Sequence, residues 1–186
     1  MSKQRSAPGE LERVRRFVNT RQVRRGTDLL SDTLGMAEWF ADEGMAPRPT
    51  RVTRGDLARA VELREALRAL LATHNGGGSV AAPVTRTLDA AAGRARLRLH
   101  FDDAGGASLV PAAAGVDGAL GRLLAIVHDA IAQGTWSRLK VCREHECEWA
   151  FYDHTKNRSG AWCSMEACGN RAKARAFRER HAASGH

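Results

Sequence analysis

The fold of this chain is decided by residues 142–171, CREHECEWAFYDHTKNRSGAWCSMEACGNR, which contain all four of its cysteines. The cysteines form two pairs of equal spacing, Cys142-x4-Cys147 and Cys163-x4-Cys168, and fifteen residues separate the pairs. Thiolate sulfur is the preferred ligand of structural zinc, and two loops that each donate two sulfurs complete a tetrahedral shell without a position for water. We therefore predict one structural zinc ion held by the four cysteines.

A pair of disulfides or a redox switch is the alternative use of these cysteines. The sequence begins MSKQR without a following apolar stretch, which predicts no signal peptide, and no apolar run is long enough for a membrane span. We expect a cytoplasmic protein without membrane contact, where paired cysteines hold metal more often than they bridge each other. His145 and His154 lie in or beside the module, and we expect both to face solvent because four sulfurs already complete the site.

Distinctive residues surround the cysteines. They include RLKVC at 138–142, WAFYD at 149–153, NRS at 157–159 and WCSMEACGNR at 162–171. This pattern resembles the CGNR zinc finger, a family named for the four residues that are here Cys168, Gly169, Asn170 and Arg171. The resemblance is dense and covers about the last fifty residues.

The upstream chain carries shorter matches to a second family. FVNT at 17–20, LREAL at 63–67 and LVP at 109–111 resemble pieces of the ABATE domain, which usually precedes this finger. The ABATE domain is described as a regulator of stress-induced transcription. The two resemblances together imply a transcription regulator of the stress response that binds DNA.

Length, composition and charge are compatible with that expectation. The 186 residues suffice for one core and a small metal-stabilised appendage, and the low aromatic content of 5% leaves Leu, Val and Ala to fill most of that core. The formal net charge of +8 favours an acidic partner such as DNA, since Lys and Arg release counterions from phosphates.

Hydrophobic periodicity predicts a mainly α protein with some β structure. We expect an N-terminal helical domain over residues 1–135 with a β-hairpin near 97–110, then a treble-clef-like finger of hairpin and helix over 136–186. The predicted helices are about 11–25, 33–43, 53–73, 84–92 and 116–133, with a break at Pro47-Arg48-Pro49. Thr53 and Asp56 form a plausible capping box. The apolar positions expected in the core include Leu34, Leu99, Phe101 and Ile131, and Trp136 is expected to join the two domains.

Within the finger, we predict that residues 148–152 pair with residues 161–163 as a hairpin. Ser164 is a suitable N-cap for a last helix that reaches about Arg180. The aromatic residues are expected to pack over the zinc rather than to stack on unpaired bases; they are Trp149, Phe151, Tyr152 and Trp162.

The last helix carries the prediction of DNA contact. Arg171, Arg175 and Arg178 recur at intervals of four and three, so they share one face of the helix. Guanidinium groups on such a face can bind phosphates or guanine edges, although a solvated charged face is the alternative. The candidate DNA contacts are Lys156, Arg158, Arg171, Lys173, Arg175, Arg178 and Arg180.

Two of the family-naming residues have a second interpretation. We expect Asn170 to support the metal ligands by bonding to backbone groups of the zinc loop. Arg171 either contacts DNA or pairs with an acidic residue such as Glu144 or Glu148, and the sequence leaves both open.

No motif in the sequence indicates an enzyme. A zinc ion with four sulfur ligands offers no open position, and the chain lacks a nucleophile elbow, a metalloprotease helix and a dinucleotide fingerprint. Our leading hypothesis is transcriptional regulation through DNA contact, with the N-terminal domain as sensor or oligomerisation part. A homodimer and a small-molecule effector remain open. The alternatives are a zinc-stabilised protein-interaction module that does not bind DNA and a zinc-thiolate redox sensor.

Overall fold

The computed structural model describes residues 6–46 and 51–183, so the expected break at Pro47-Arg48-Pro49 lies outside the described residues. The helices are α1 (Leu11–Val18), α2 (Thr33–Asp42), α3 (Arg54–Ala72), α4 (Ala82–Ala95), α5 (Gly115–Ala132) and α6 (Asn170–Ala183). The strands are β1 (Arg21–Gln22), β2 (Thr27–Asp28), β3 (Leu97–Phe101), β4 (Ala107–Pro111), β5 (Leu139–Val141) and β6 (Ala150–Tyr152). Each odd strand pairs antiparallel with the next. The mainly α prediction with small hairpins is confirmed.

Helix α1 is shorter than the predicted segment 11–25. It ends at Val18, and the Arg-rich stretch that follows forms the short hairpin β1–β2, in which Gly26 takes the left-handed conformation. The stretch 21–25 is polar apart from Val23 and lacks a continuous apolar face for the core. Helix α1 therefore ends where its apolar face ends.

Helices α3 and α5 form as the sequence predicts. The Thr53 hydroxyl accepts a hydrogen bond from the Asp56 N–H at 3.1 Å, and the Asp56 carboxylate accepts one from the Thr53 N–H at 2.8 Å. This confirms the capping box of α3. The apolar stripe of α3 enters the core, with Leu63 and Leu67 fully buried.

Four residues predicted for the core are instead more than half exposed; they are Leu34, Leu99, Phe101 and Ile131. The hairpin β3–β4 explains two of them. Leu97 lies against Gly121 of α5, where an added Cβ would come within 3.6 Å of the leucine Cδ2. Leu99 and Phe101 follow at two-residue intervals on the same side of the strand but remain largely exposed. The predicted hairpin exists, but β3 is exposed beyond Leu97, whereas β4 is half-buried over residues 108–111.

The strand pairing in the finger differs from the prediction. Strand β6 pairs with β5, with Leu139 opposite Tyr152 and Val141 opposite Ala150, rather than with residues 161–163. Burial accounts for the difference, because these four side chains pack into the same core as the helices. Residues 161–163 instead contact the chain just after β5, where the Arg143 N–H donates a hydrogen bond to the Ala161 carbonyl.

Side chains of the helical part satisfy backbone groups of this strand pair. The Asn19 amide donates to the Ala150 carbonyl at 2.9 Å and accepts from the Ala150 N–H at 2.8 Å. The His74 Nδ1 lies 2.7 Å from the Leu139 carbonyl, and the Asn75 amide donates to the Val141 carbonyl. A two-stranded ribbon leaves such groups unpaired along both edges. The helical part therefore supplies partners at both edges of β5–β6.

The protonation of His74 follows from this position. A ring nitrogen that faces a carbonyl oxygen must carry the hydrogen, so Nδ1 is the donor. Burial lowers the pKa of His74 and favours the neutral ring, although its bond to the Leu139 carbonyl acts the other way. The buried Trp136 packs edge-on against this ring with centroids 5.4 Å apart, so it lies at the expected contact between helices and finger.

Two buried arginines of α3 hold neighbouring elements in place, and one of them, Arg68, reaches the finger. Arg68 donates to the Val18 carbonyl at 2.6 Å and to the Glu148 carbonyl at 2.7 Å, which joins α1 to the finger. Arg64 donates to the Asp28 carboxylate at 2.6 Å and holds the β1–β2 hairpin. FVNT therefore lies at the junction with the finger, whereas Arg64 of LREAL bonds within the helical part. The division of the chain at residue 135 stays a prediction.

Replacement of Asn19 tests the importance of this junction. Asn19→Ala leaves the buried N–H of Ala150 without a partner and leaves its carbonyl with only the long bond from Arg15, at 3.5 Å. An unsatisfied buried group costs about 1 to 3 kcal/mol. We expect a loss of about 2 to 4 kcal/mol in the free energy of unfolding of the zinc-loaded protein, measured with urea. Asn157→Ala, at an exposed position, is the control. Equal stability of the two variants would contradict the assigned role of Asn19.

Candidate metal centre

Two local structures bring the cysteines together. Cys142 and Cys147 lie in a tight turn between β5 and β6, where the Glu144 carbonyl accepts a hydrogen bond from the Cys147 N–H at 2.8 Å. We call this turn, residues 142–147, the knuckle. Cys163 and Cys168 lie just before α6, and the Ser164 hydroxyl accepts from the Ala167 N–H at 3.2 Å. The predicted N-cap is confirmed, and one wide helical turn, Met165–Gly169, carries Cys168 to the knuckle.

The four sulfur atoms have the spacing that a metal requires. All lie within 4.8 Å of one another, with Cys147 Sγ 3.6 Å from Cys163 Sγ and Cys163 Sγ 3.7 Å from Cys168 Sγ. A tetrahedral zinc ion with Zn–S bonds of about 2.3 Å separates its sulfurs by about 3.8 Å. Disulfide sulfurs lie about 2.05 Å apart, so these cysteines are not bridged. The donor set therefore fits one structural zinc ion.

The ionisation of the thiols also favours a cation here. Hydrogen bonds from the thiols of Cys147 and Cys163 lower the pKa of Cys142 to about 2. The same bonds to Cys142 raise the pKa of Cys147 to about 12 and also raise the pKa of Cys163. One thiolate thus opposes ionisation of its neighbours. A divalent cation removes that conflict, because each thiolate then binds positive charge.

Aromatic side chains pack around the cysteines as predicted. Phe151 is fully buried in a small cluster with Cys142 and Cys168, and Trp149 and Trp162 pack against this cluster while partly exposed. Tyr152 is the exception, because it faces the helices and belongs to the main core. Adjacent residues of β6 thus belong to different clusters, Phe151 to the zinc cluster and Tyr152 to the main core.

Two arginines of α6 turn toward the metal centre. Arg171 Nη2 donates to Cys168 Sγ at 3.0 Å. Arg175 grips both carboxylate oxygens of Glu144, with N···O distances of 2.9 and 3.1 Å, and Glu144 is only 1% exposed. The hydrogen bonds from Arg175 lower the pKa of Glu144 and keep it ionised. Glu144, one of the two acidic residues named as candidates for Arg171, is therefore bound by Arg175, and the pair fixes α6 against the knuckle.

The structure does not show the supporting role expected for Asn170. Its side chain is exposed at the start of α6, and it makes no hydrogen bond to the zinc loop within residues 6–46 and 51–183. The side-chain contacts around the knuckle come instead from Arg171, which donates to Cys168 Sγ, and from Arg175, which binds Glu144.

Sequence reasoning missed a buried ion pair on the other side of the finger. Lys140 donates to the Asp153 carboxylate at 2.8 Å, and both residues are buried. Burial opposes the charge of Asp153, but hydrogen bonds from Lys140, Thr155 and Gly160 outweigh it and lower the pKa to about 2. A Cβ at Gly160 would lie 2.8 Å from this carboxylate. The sequence offered one signal of this ion pair, which is the position of a lysine between two apolar strand residues, Leu139 and Val141.

The remaining candidate DNA contacts face outward. Exposed side chains are those of Lys156, Arg158, Lys173, Arg178 and Arg180. Lys156 and Arg158 lie on the loop that Asp153 organises, and Arg158 donates to the Ser137 hydroxyl at 3.1 Å. His145 and His154 are exposed as expected. The predicted set thus divides into outward cations and the two inward residues Arg171 and Arg175.

Comparison with known families agrees with this geometry. The CGNR zinc finger model matches residues 138–181, and the ABATE model, described as "Putative stress-induced transcription regulator", matches residues 12–134. Because the ABATE match covers more than half of the chain, the protein belongs to the ABATE family, and it carries a CGNR zinc finger. The curated proteins include no match to this chain. Within the described residues, no helix has both the length and the apolar character of a membrane span.

The inward position of Arg175 predicts a role in metal binding. Arg175→Ala removes both guanidinium bonds from the buried Glu144 carboxylate and leaves it only the exposed His145 ring, 3.3 Å away. Loss of such supporting contacts typically lowers metal affinity 10- to 100-fold. We expect at least about a 10-fold loss of zinc affinity, measured by competition with a chromophoric chelator. Arg178→Ala, one turn further and exposed, is the matched control and should retain normal affinity. Equal zinc affinity in the two variants would contradict the inward assignment.

Proposed function

We propose that this protein is a transcription regulator that contacts DNA through its zinc finger, with the helical part as a sensor or oligomerisation part. Membership of the ABATE family and the zinc site support the first half of this proposal. The observation that carries the DNA contact is the group of exposed cations on α6 and on loop 153–160, in particular Lys173, Arg178 and Lys156. We further propose that the protein is not an enzyme, since four sulfurs fill the coordination of the metal.

The mechanism of DNA contact would be mainly electrostatic at first. Lysine and arginine side chains that bind phosphates release condensed counterions, and this gives affinity for any duplex. The zinc site and the Arg175–Glu144 pair hold α6 rigidly, so little ordering of the helix is needed when DNA binds. Sequence preference requires further contacts to base edges.

The electrostatic part can be tested by fluorescence anisotropy with random duplex DNA across a salt series. Zinc-loaded Lys173→Gln/Arg178→Gln should bind more weakly at low salt, and its salt slope should fall by about 2, because each phosphate contact contributes about 1. This variant leaves Arg175 and its partner Glu144 intact.

The matched control is Arg24→Gln/Arg25→Gln. Both arginines are exposed in the helical part, and the change removes the same charge. It should bind like the unaltered protein if the finger makes the contacts. An equal loss in the two variants would instead indicate an effect of net charge. Absence of binding at low salt, with zinc present, would favour a protein-interaction module.

A further inference from the structure

The side of α6 turned away from the knuckle has a composition of its own. Lys173, Phe177, Arg180 and His181 follow one another at intervals of four, three and one, so they share one side of the helix. Arg171 and Arg175 lie on the opposite side, fixed to Cys168 and Glu144. We call these four exposed residues the outer face of α6.

Phe177 is the unusual member of the outer face. It is 55% exposed, and its ring lies against the ring of His181 with centroids 4.1 Å apart. Among residues 170–181 it is the only large apolar side chain, and lysine and arginine precede and follow it on the same side. An aromatic ring held between cations suits a partner that is anionic at its rim and apolar within.

Duplex DNA has this combination of features. Its major groove admits an α-helix, its phosphates line the rims, and the thymine methyl is the apolar group on its floor. An anionic membrane surface is less suitable, because a membrane-bound helix needs a stripe of several large apolar residues and this face has one. The combination of several cations with a single apolar ring therefore favours DNA as the partner of Phe177.

We propose that Phe177 contacts a thymine methyl group in the major groove and so gives the protein sequence preference. This inference rests on the proposed DNA contact and assigns to one residue the readout of an apolar base group, which a charged side chain does not provide. Lys173 and Arg180, on either side of Phe177 along the helix, would bind phosphates and set its depth in the groove.

The test begins with selection of binding sites from a random duplex library by the zinc-loaded full-length protein. Each thymine of the selected site is then replaced by uracil, which removes only the methyl group. At one position we expect the unaltered protein to bind about four-fold more weakly, which corresponds to one buried methylene-sized group. Phe177→Ala should bind the thymine and uracil sites equally, and should bind random duplex DNA normally.

The matched control is Phe101→Ala. It makes the same change at a phenylalanine of similar exposure, 66%, on the β3–β4 hairpin. It should retain both the selected-site affinity and the uracil effect. Because random-duplex affinity reports the phosphate contacts separately, failure of the methyl contact and failure of DNA binding itself give different results.

Three outcomes would overturn the assignment of Phe177. The first is salt-dependent DNA binding without any enriched sequence, or with a uracil effect that persists in Phe177→Ala. The second is binding to phosphatidylglycerol vesicles that Phe177→Ala abolishes, without DNA binding. The third is a change of molar mass in Phe177→Ala by light scattering, which would make the ring a contact between copies of the chain.

Discussion

The structure depends on a short strand pair whose edges are completed by side chains from distant parts of the sequence. Asn19 bonds to both backbone groups of Ala150 on β6, and His74 and Asn75 cover carbonyls of β5. Isolated two-stranded ribbons are marginal in water. The β5–β6 pair is stable here because helices supply its missing hydrogen-bond partners and bury its apolar face.

The zinc site and the helical core meet on this strand pair. Val141 and Ala150 point into the core, while Cys142 and Phe151 pack in the metal cluster. Strand residues alternate between faces, so adjacent positions serve the two clusters. The Arg175–Glu144 pair then extends this order into α6, which carries the outward cations. Metal, core and the proposed DNA surface are thus connected through a few residues.

Spacing and periodicity revealed what depends on local sequence. The cysteine pairs identified the metal ligands, the Thr53–Asp56 pattern identified the start of α3, and Ser164 identified the N-cap before Cys168. These signals succeed because their atoms interact over a few residues of chain.

The sequence could not reveal partners chosen by tertiary packing. The pairing of β5 with β6 depends on burial against helices, and Arg175 rather than Arg171 reaches Glu144 because the wide turn before α6 sets the rotation of the helix. Helical spacing grouped Arg171, Arg175 and Arg178 on one face, but it could not show that the first two turn toward the metal centre while Arg178 stays exposed. The same limitation hid Phe177 on the opposite side.

Hydrogen exchange, measured by mass spectrometry on zinc-loaded and chelator-treated protein, tests most directly whether finger and helices form one cooperative unit. If they do, removal of zinc should accelerate exchange in α1 and α3, which contact the strand pair, as well as in residues 138–181. Faster exchange confined to residues 138–181, with α1 and α3 as protected as before, would contradict it and make the finger an independent appendage.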